Sequence, residues 1–293
     1  MGTNIFFAVN YTTIKYLING DFTKPFALNI IRVGITALLL WVLFIFKPVK
    51  SLIKKEDMGR LFLCALSGVA VNQLLFVKGL SFTYSIHASL LMLTTPILIT
   101  ILAAWLLKEK LTLFKVAGLF MGISGAVVLI TARDNSGSGS DVILGDALII
   151  MNAIAYTFYM ILVKPLMVKY NPVVIIRSIF TIGFFMMLPF CWQEYQEVHW
   201  QSFTAIAWIN LASVVILGTF LAYLFNVYGI KILGASVAGA YIYSQPFIAA
   251  AVAVVFLGEA LTITKIVAAV FIFLGVYFSK INAKPLTGLS ANT

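Results

Sequence analysis

The sequence predicts an all-α membrane protein, ten transmembrane helices as two inverted five-helix repeats, and three observations predict it. Hydrophobic residues fill 62% of the 293 positions and charged residues only 10%, against about 25% charged in ordinary soluble domains. The charges cluster between long apolar runs. A pattern of proline, apolar run, glutamate and Leu-Thr also occurs twice, in TTPILITILAAWLLKEKLT from Thr94 and in SQPFIAAAVAVVFLGEALT from Ser244, 150 positions apart. There is too little polar surface to cover a water-soluble globule, so the solvent for most of this surface is lipid.

Cutting the chain at turn residues and charges leaves apolar segments at about 1–18, 25–46, 61–79, 84–107, 113–131, 146–168, 173–192, 204–228, 234–257 and 263–280. Nearly all can cross about 30 Å of hydrocarbon at 1.5 Å per residue. Backbone groups in lipid must pair internally, so the segments are expected to be helices; unbroken apolar runs do not fit the alternating strands of a barrel. The repeat extends beyond the opening pattern. Gly68, Gly79, Pro96, Glu109, Lys115 and Gly125 fall 150 positions before Gly218, Gly229, Pro246, Glu259, Lys265 and Gly275. The triplet ending at Arg32 answers the one ending at Arg177 at a slightly shorter offset. The expected organisation is a first repeat over 1–132, a linker over 133–145, a second repeat over 146–282 and a polar tail over 283–293. RDNSGSGSD, at Arg133 to Asp141, has linker composition.

Five is odd, so a second half sharing the fold of the first enters the membrane upside down. Charge supports this. With both termini cytoplasmic, Lys and Arg concentrate at the inner helix ends, as the positive-inside rule requires. The loops after the second and seventh segments, KPVKSLIKKEDMGR and QEYQEVHWQ, differ in the expected sense. The expected location is the inner (plasma) membrane, multi-pass. No cleavable signal peptide is expected, because the first apolar run lacks a basic leader and many spans follow it. Three residues precede Asn4, whereas about two turns precede its counterpart Ala153, which predicts a native start upstream of Met1.

The net charge of +10 sits at segment ends and not on a polar face with interleaved aromatics, so no nucleic acid partner is expected. Cys64 and Cys191 fall inside apolar runs and are expected to be small buried packing residues. No metal site and no cofactor are expected.

GTN at Gly2 to Asn4, NQLLFVKGLSF at Asn72 to Phe82, and the two Pro…Glu-x-Leu-Thr runs with a downstream glycine resemble the EamA family of the drug/metabolite transporter superfamily. The resemblance spans nearly the whole chain. It implies a secondary carrier, often an exporter of amino acids or related metabolites, with a central cavity lined mainly by the first, third, fourth, sixth, eighth and ninth helices. The short first helix departs from the family.

Proline within the fourth and ninth segments, Pro96 and Pro246, frees the carbonyls near Met92 and Ile242 and permits a kink. Thr94-Thr95 and Ser244-Gln245 precede the two prolines. They are expected either to cradle substrate or to cap the freed carbonyls. Asn4, Asn10, Asn72 and Gln73 are further substrate-binding candidates, although buried amides also hold helices together. Tyr156, Tyr223 and Tyr241 offer an aromatic face with a hydroxyl, suited to a small amphipathic solute. Arg32 and Arg177 either snorkel or attract a carboxylate at a gate. Glu109 and Glu259 are read as tight-turn residues that favour the following helix N-terminus. No Asp or Glu falls mid-segment, which leaves His87 as the candidate coupling group. The expected partners are a small-molecule substrate and the bilayer, with the chain a monomer or homodimer.

GISG at Gly122 to Gly125 raises a different class, an intramembrane serine protease using Ser124, which would need a histidine base from another helix. Close helix packing explains these small residues better. The sequence has no H-E-x-x-H helix, Walker A loop or glycine-rich filter.

Overall fold

The computed structural model describes residues 2–46, 53–106, 113–131, 140–233 and 244–280. All regular structure among them is helical. Helix α1 covers Gly2–Asn19 and α2 Pro25–Phe46. Helix α3 covers Lys55–Phe82 and contains a π-helical turn at Leu66–Ala70. Then follow α4 (Ser85–Met92), α5 (Thr95–Leu106), α6 (Leu113–Thr131), α7 (Val142–Lys169) and α8 (Pro172–Gln196). Helix α9 covers residues 205–233 with a π-helical stretch at Ser213–Leu221; α10 (Gln245–Leu257) and α11 (Ile263–Lys280) complete the described chain.

Six described helices, α2, α3, α6, α7, α8 and the Ala205–Asn226 part of α9, are long and apolar enough to cross a membrane. Shorter apolar helical stretches run over Ser85–Ile99, which takes in α4 and the start of α5, and over Gln245–Leu257 and Ile263–Ser279. Polarity is distributed as lipid demands. Leu38, Phe46, Phe120, Phe185, Phe190, Phe256 and Ile263 are exposed, while Asn10, Lys15, Asn29, Arg32 and Asp146 are buried.

The expected single helix over 84–107 is corrected to two. Pro96 has no N–H for the Met92 carbonyl, and that carbonyl instead accepts from the Thr95 hydroxyl at 2.7 Å. The Thr94 hydroxyl donates to the Leu91 carbonyl at 2.7 Å, and the Leu93 and Thr94 N–H groups close tight turns at 3.0 Å. Pro96 is therefore the second residue of a new helix, and Pro246 holds the same place in α10. At a helix start the missing N–H costs nothing. Both prolines thus occupy the first turn of a described helix.

Helix starts recur 150 positions apart: Lys55 and Ala205, Thr95 and Gln245, Leu113 and Ile263. Both π-helical stretches contain a repeated glycine, Gly68 in α3 and Gly218 in α9. Helices α6 and α11 approach through glycine. A Cβ on Gly275 would lie 2.5 Å from the Gly122 amide nitrogen and 2.7 Å from the Gly118 carbonyl oxygen. A Cβ on Gly125 would meet Ala268 and Ile272 at 2.9 Å. The glycines around Ser124 are thus spent on backbone contact between helices. Cys64 and Cys191 are free and buried.

Helices α3 and α7 run antiparallel, bringing together in order Gly79 with Gly145, Asn72 with Asn152, Gly68 with Tyr159, and Asp57 with Lys169. Helices α2 and α8 do the same. Glu194 accepts from the Phe26 and Ala27 N–H groups at 2.7 and 3.3 Å and so caps α2, a favourable place for a carboxylate. Trp41 donates to Thr181 at 3.0 Å farther along the pair.

Candidate functional site

Polar residues of α1, α2, α3, α7, α9 and α10 bond across helices, several of them close to the two π-helical stretches. Such stretches open the backbone ladder and recur at functional sites. In α9 the Thr219 hydroxyl donates to the Val214 carbonyl five residues back at 2.8 Å, and its oxygen accepts from Nε of Arg32 at 3.2 Å. Arg32 does not snorkel: it is 2% exposed. One turn before it on α2, Asn29 donates to the Gln73 carbonyl at 2.9 Å. The Gln73 amide donates to the Tyr223 hydroxyl at 2.7 Å. The Tyr223 ring stands edge-on to Phe7 and Phe180, with centroids at 5.9 and 5.0 Å.

Asn72 and Asn152 bond reciprocally, each side-chain amide donating to the other's backbone carbonyl, at 3.3 and 2.7 Å. Gln245 donates to Oδ1 of Asn4 at 2.7 Å, joining α10 to α1. Asn10 is buried against Gly218, and its Oδ1 has no partner among the described residues. A cavity of about 180 Å³ opens between Ile5, Phe6, Val9 and Asn10 on α1 and Ser213, Leu217 and Gly218 on α9. Tyr156 packs on Tyr159 at 5.7 Å between ring centroids.

The remaining candidates lie elsewhere or serve the backbone. Thr94 and Thr95 donate to carbonyls at the helix break, the capping role of the two open alternatives. Ser244 is the N-cap residue of α10. Arg177 stacks its guanidinium over Phe44 and Trp41 at 3.8 and 4.2 Å, away from Arg32's partners. Tyr241 and Glu109 lie outside the described residues.

A second buried cluster surrounds the start of α4. His87 Nδ1 lies 2.9 Å from Asp146 Oδ2, and the Thr83 hydroxyl donates to the other carboxylate oxygen. The Lys15 ammonium donates to the Thr83 carbonyl. Glu259 accepts from the Ser85 and Ile86 N–H groups at 2.7 and 3.0 Å. The Lys265 ammonium donates to the Ala260 carbonyl at 2.7 Å and, like Lys15, stands over the Tyr84 ring. The side chains of Lys15, Thr83, His87, Asp146, Glu259 and Lys265 belong to residues at most 1% exposed. Glu259 stands in the short turn between α10 and α11, but its carboxylate caps α4 and not the helix that follows it, which corrects the expected partner. Lacking a mid-segment acid does not leave the interior without carboxylates, because Asp146 and Glu259 enter it from helix ends. Thr219 and Asp146 escaped the sequence reading. Asp146 carried a signal, since it stands at the head of a long apolar run.

At the far end of the α3–α7 pair, the Tyr170 hydroxyl donates to Asp57 at 2.8 Å and the Lys169 ammonium donates at 3.2 Å. Buried or partly buried polar bonds therefore tie the N-terminal and C-terminal parts of the chain at both ends and in the middle. The model of the EamA-like transporter family matches residues 1–131 and, a second time, residues 143–281.

The chain belongs to the EamA-like transporter family.

Among its relatives is an uncharacterized transporter of Archaeoglobus fulgidus, 28% identical over 94% of this chain and 95% of that one. Another is the uncharacterized transporter YyaM of Bacillus subtilis, 24% identical over 94% of this chain and 90% of that one. A solved structure described only as a crystal structure of a protein superimposes with a TM-score of 0.59 over 96% of each chain, at 18% identity; this likeness concerns the fold alone. The resemblance read from the sequence is borne out. The EamA-like chain is a multi-pass membrane protein of a transporter family, whose matched relatives carry transporter and not enzyme names.

Proposed function

We propose that this chain is a secondary carrier that moves a small organic metabolite, an amino acid or related solute, outward by alternating access. Ten crossings form two inverted five-helix halves in the inner (plasma) membrane, with both termini cytoplasmic and the working unit a monomer or homodimer. Inverted halves allow alternation because exchanging their conformations turns an inward-open form into an outward-open one.

The observation that carries this reading is a contact made twice with the halves exchanged. A Cβ on Gly68 would come within 2.4 Å of Tyr159, and one on Gly218 within 2.3 Å of Asn10. Gly68 and Gly218 are repeat partners at an offset of 150, and Asn10 and Tyr159 are partners at 149. Gln73 and Tyr223, bonded to each other, also stand 150 apart. Each half thus lays its first helix on the π-helical stretch of the other. Asn72, Gln73, Asn4 and Gln245 line the seam, where bonds must exchange partners as the halves rock. The test is uptake of a mixed pool of labelled small metabolites by proteoliposomes. Asn72→Ala and Gln245→Ala should each lower uptake severalfold with expression near normal; unchanged uptake in both would remove these residues from the path.

A further inference from the structure

Arg32 is the feature of the seam that its internal bonds leave unexplained. It is among the largest fully buried side chains, yet among the described residues no carboxylate pairs with it. Its Nη1 has no hydrogen-bond partner among the described residues. The buried acids are engaged elsewhere: Asp146 with Thr83 and His87, Glu259 with the start of α4, and Asp57 with Lys169 and Tyr170. A buried guanidinium without a counter-charge is costly, and burial in a membrane protein raises that cost.

The orphan is not isolated. Asn29, Arg32 and Thr36 stand at helical spacing on one face of α2, and each has a buried atom without a partner among the described residues: Asn29 Oδ1, Arg32 Nη1 and Thr36 Oγ1. The Arg32 head group is held from one side only, through Nε by Thr219 in the π-helical stretch of α9. Thr219 adjoins Gly218, the wall of the 180 Å³ cavity whose Asn10 oxygen is also unpartnered. The edge that remains free is the part of an arginine that grips a carboxylate through parallel N–H bonds.

We infer that Arg32 is the anion receptor of the transport site and that the solute carries a carboxylate which docks on its free Nη1 edge. Asn29 and Thr36 bond the polar groups beside that carboxylate. The aromatic rings around Tyr223 accept the apolar body of the solute. Bound solute supplies the missing counter-charge, so the loaded site can be buried during the rocking step at lower cost than the empty one. This assignment rests on the carrier reading and names the substrate chemistry of the same seam.

The experiment compares proteoliposome uptake of three matched probe pools: carboxylates and amino acids, neutral polyols and sugars, and amines without an acid group. The wild-type chain should take up probes only from the first pool. Arg32→Gln should abolish that uptake. Arg32→Lys keeps the charge and loses the fork, and should raise the apparent KM about tenfold or more, the worth of one charge-assisted bond. If Arg32→Gln does not fold, Thr219→Val provides the second test: it frees Nε and should raise KM for carboxylates severalfold while leaving the protein monodisperse. Uptake of neutral probes or amines would overturn the inference and leave the carrier reading standing, as would unaltered carboxylate KM in Arg32→Lys and Thr219→Val. No uptake from any pool would overturn both.

Discussion

Removing Glu259 tests whether a carboxylate from one part of the chain holds a helix of another. Its two oxygens accept from the Ser85 and Ile86 N–H groups at 2.7 and 3.0 Å, and the residue is 1% exposed. A hydrogen bond to a charged group contributes about 1.5–3 kcal/mol, so Glu259→Ala should cost roughly 3–6 kcal/mol, with two buried donors left unpaired. Glu259→Gln keeps one acceptor oxygen and loses the charge that favours a helix N-terminus, and should cost about half as much. Denaturant-detergent unfolding in mixed micelles gives the free energies. Amide exchange at Ser85 and Ile86 reports the local effect and should accelerate in the same order. Costs below about 0.5 kcal/mol in both variants, or an alanine variant no worse than the glutamine one, would refute the capping argument.

Other parts of the fold respond predictably. Gly275→Ala places a methyl group 2.5 Å from the Gly122 amide nitrogen, so α6 and α11 must separate; melting in detergent should report a loss of about 1–3 kcal/mol. A similar substitution at Gly59, whose added Cβ would meet nothing within 4 Å, is the control. Lys24 and Glu197 form an exposed ion pair beyond the spans. The hydrogen bond between them, reinforced by their mutual charge, holds the Glu197 carboxyl below its usual value and the Lys24 ammonium above its own. The Glu197 contribution is therefore present at neutral pH and lost as pH falls through its lowered folded value. The Lys24 contribution is lost only as pH rises through its raised one. Glu197→Gln should flatten the acid limb of thermal stability against pH, and high salt should do the same to the wild-type chain.

Much of this architecture is legible in the sequence, because lipid imposes strict rules on it. Apolar length and the 150-residue recurrence mark helices whose starts do recur at that spacing, as Leu113 and Ile263 illustrate. The break at Leu93 was half visible: Pro96 announces a lost bond, but only packing decides between a kink and a restart. Amides were easy to find and their partners were not, since Asn72 with Asn152 and Asn4 with Gln245 join positions remote in sequence. Charged groups misled most. Arg32, Lys15 and Lys265 look like snorkelling or loop residues by position, yet all three are buried. Whether a long cation reaches water depends on what stands over it, here Thr219 for Arg32 and the Tyr84 ring for the lysines.

The relative orientation of the halves is tested most directly by single cysteines, introduced one at a time in a chain whose Cys64 and Cys191 are replaced by alanine. One cysteine stands at Arg60, at the start of α3, and another at Glu197, just beyond α8. A membrane-impermeant maleimide applied to intact cells should label the Glu197 position, with the Arg60 position reacting only after permeabilisation. Labelling of both positions from the same side would contradict the inverted arrangement.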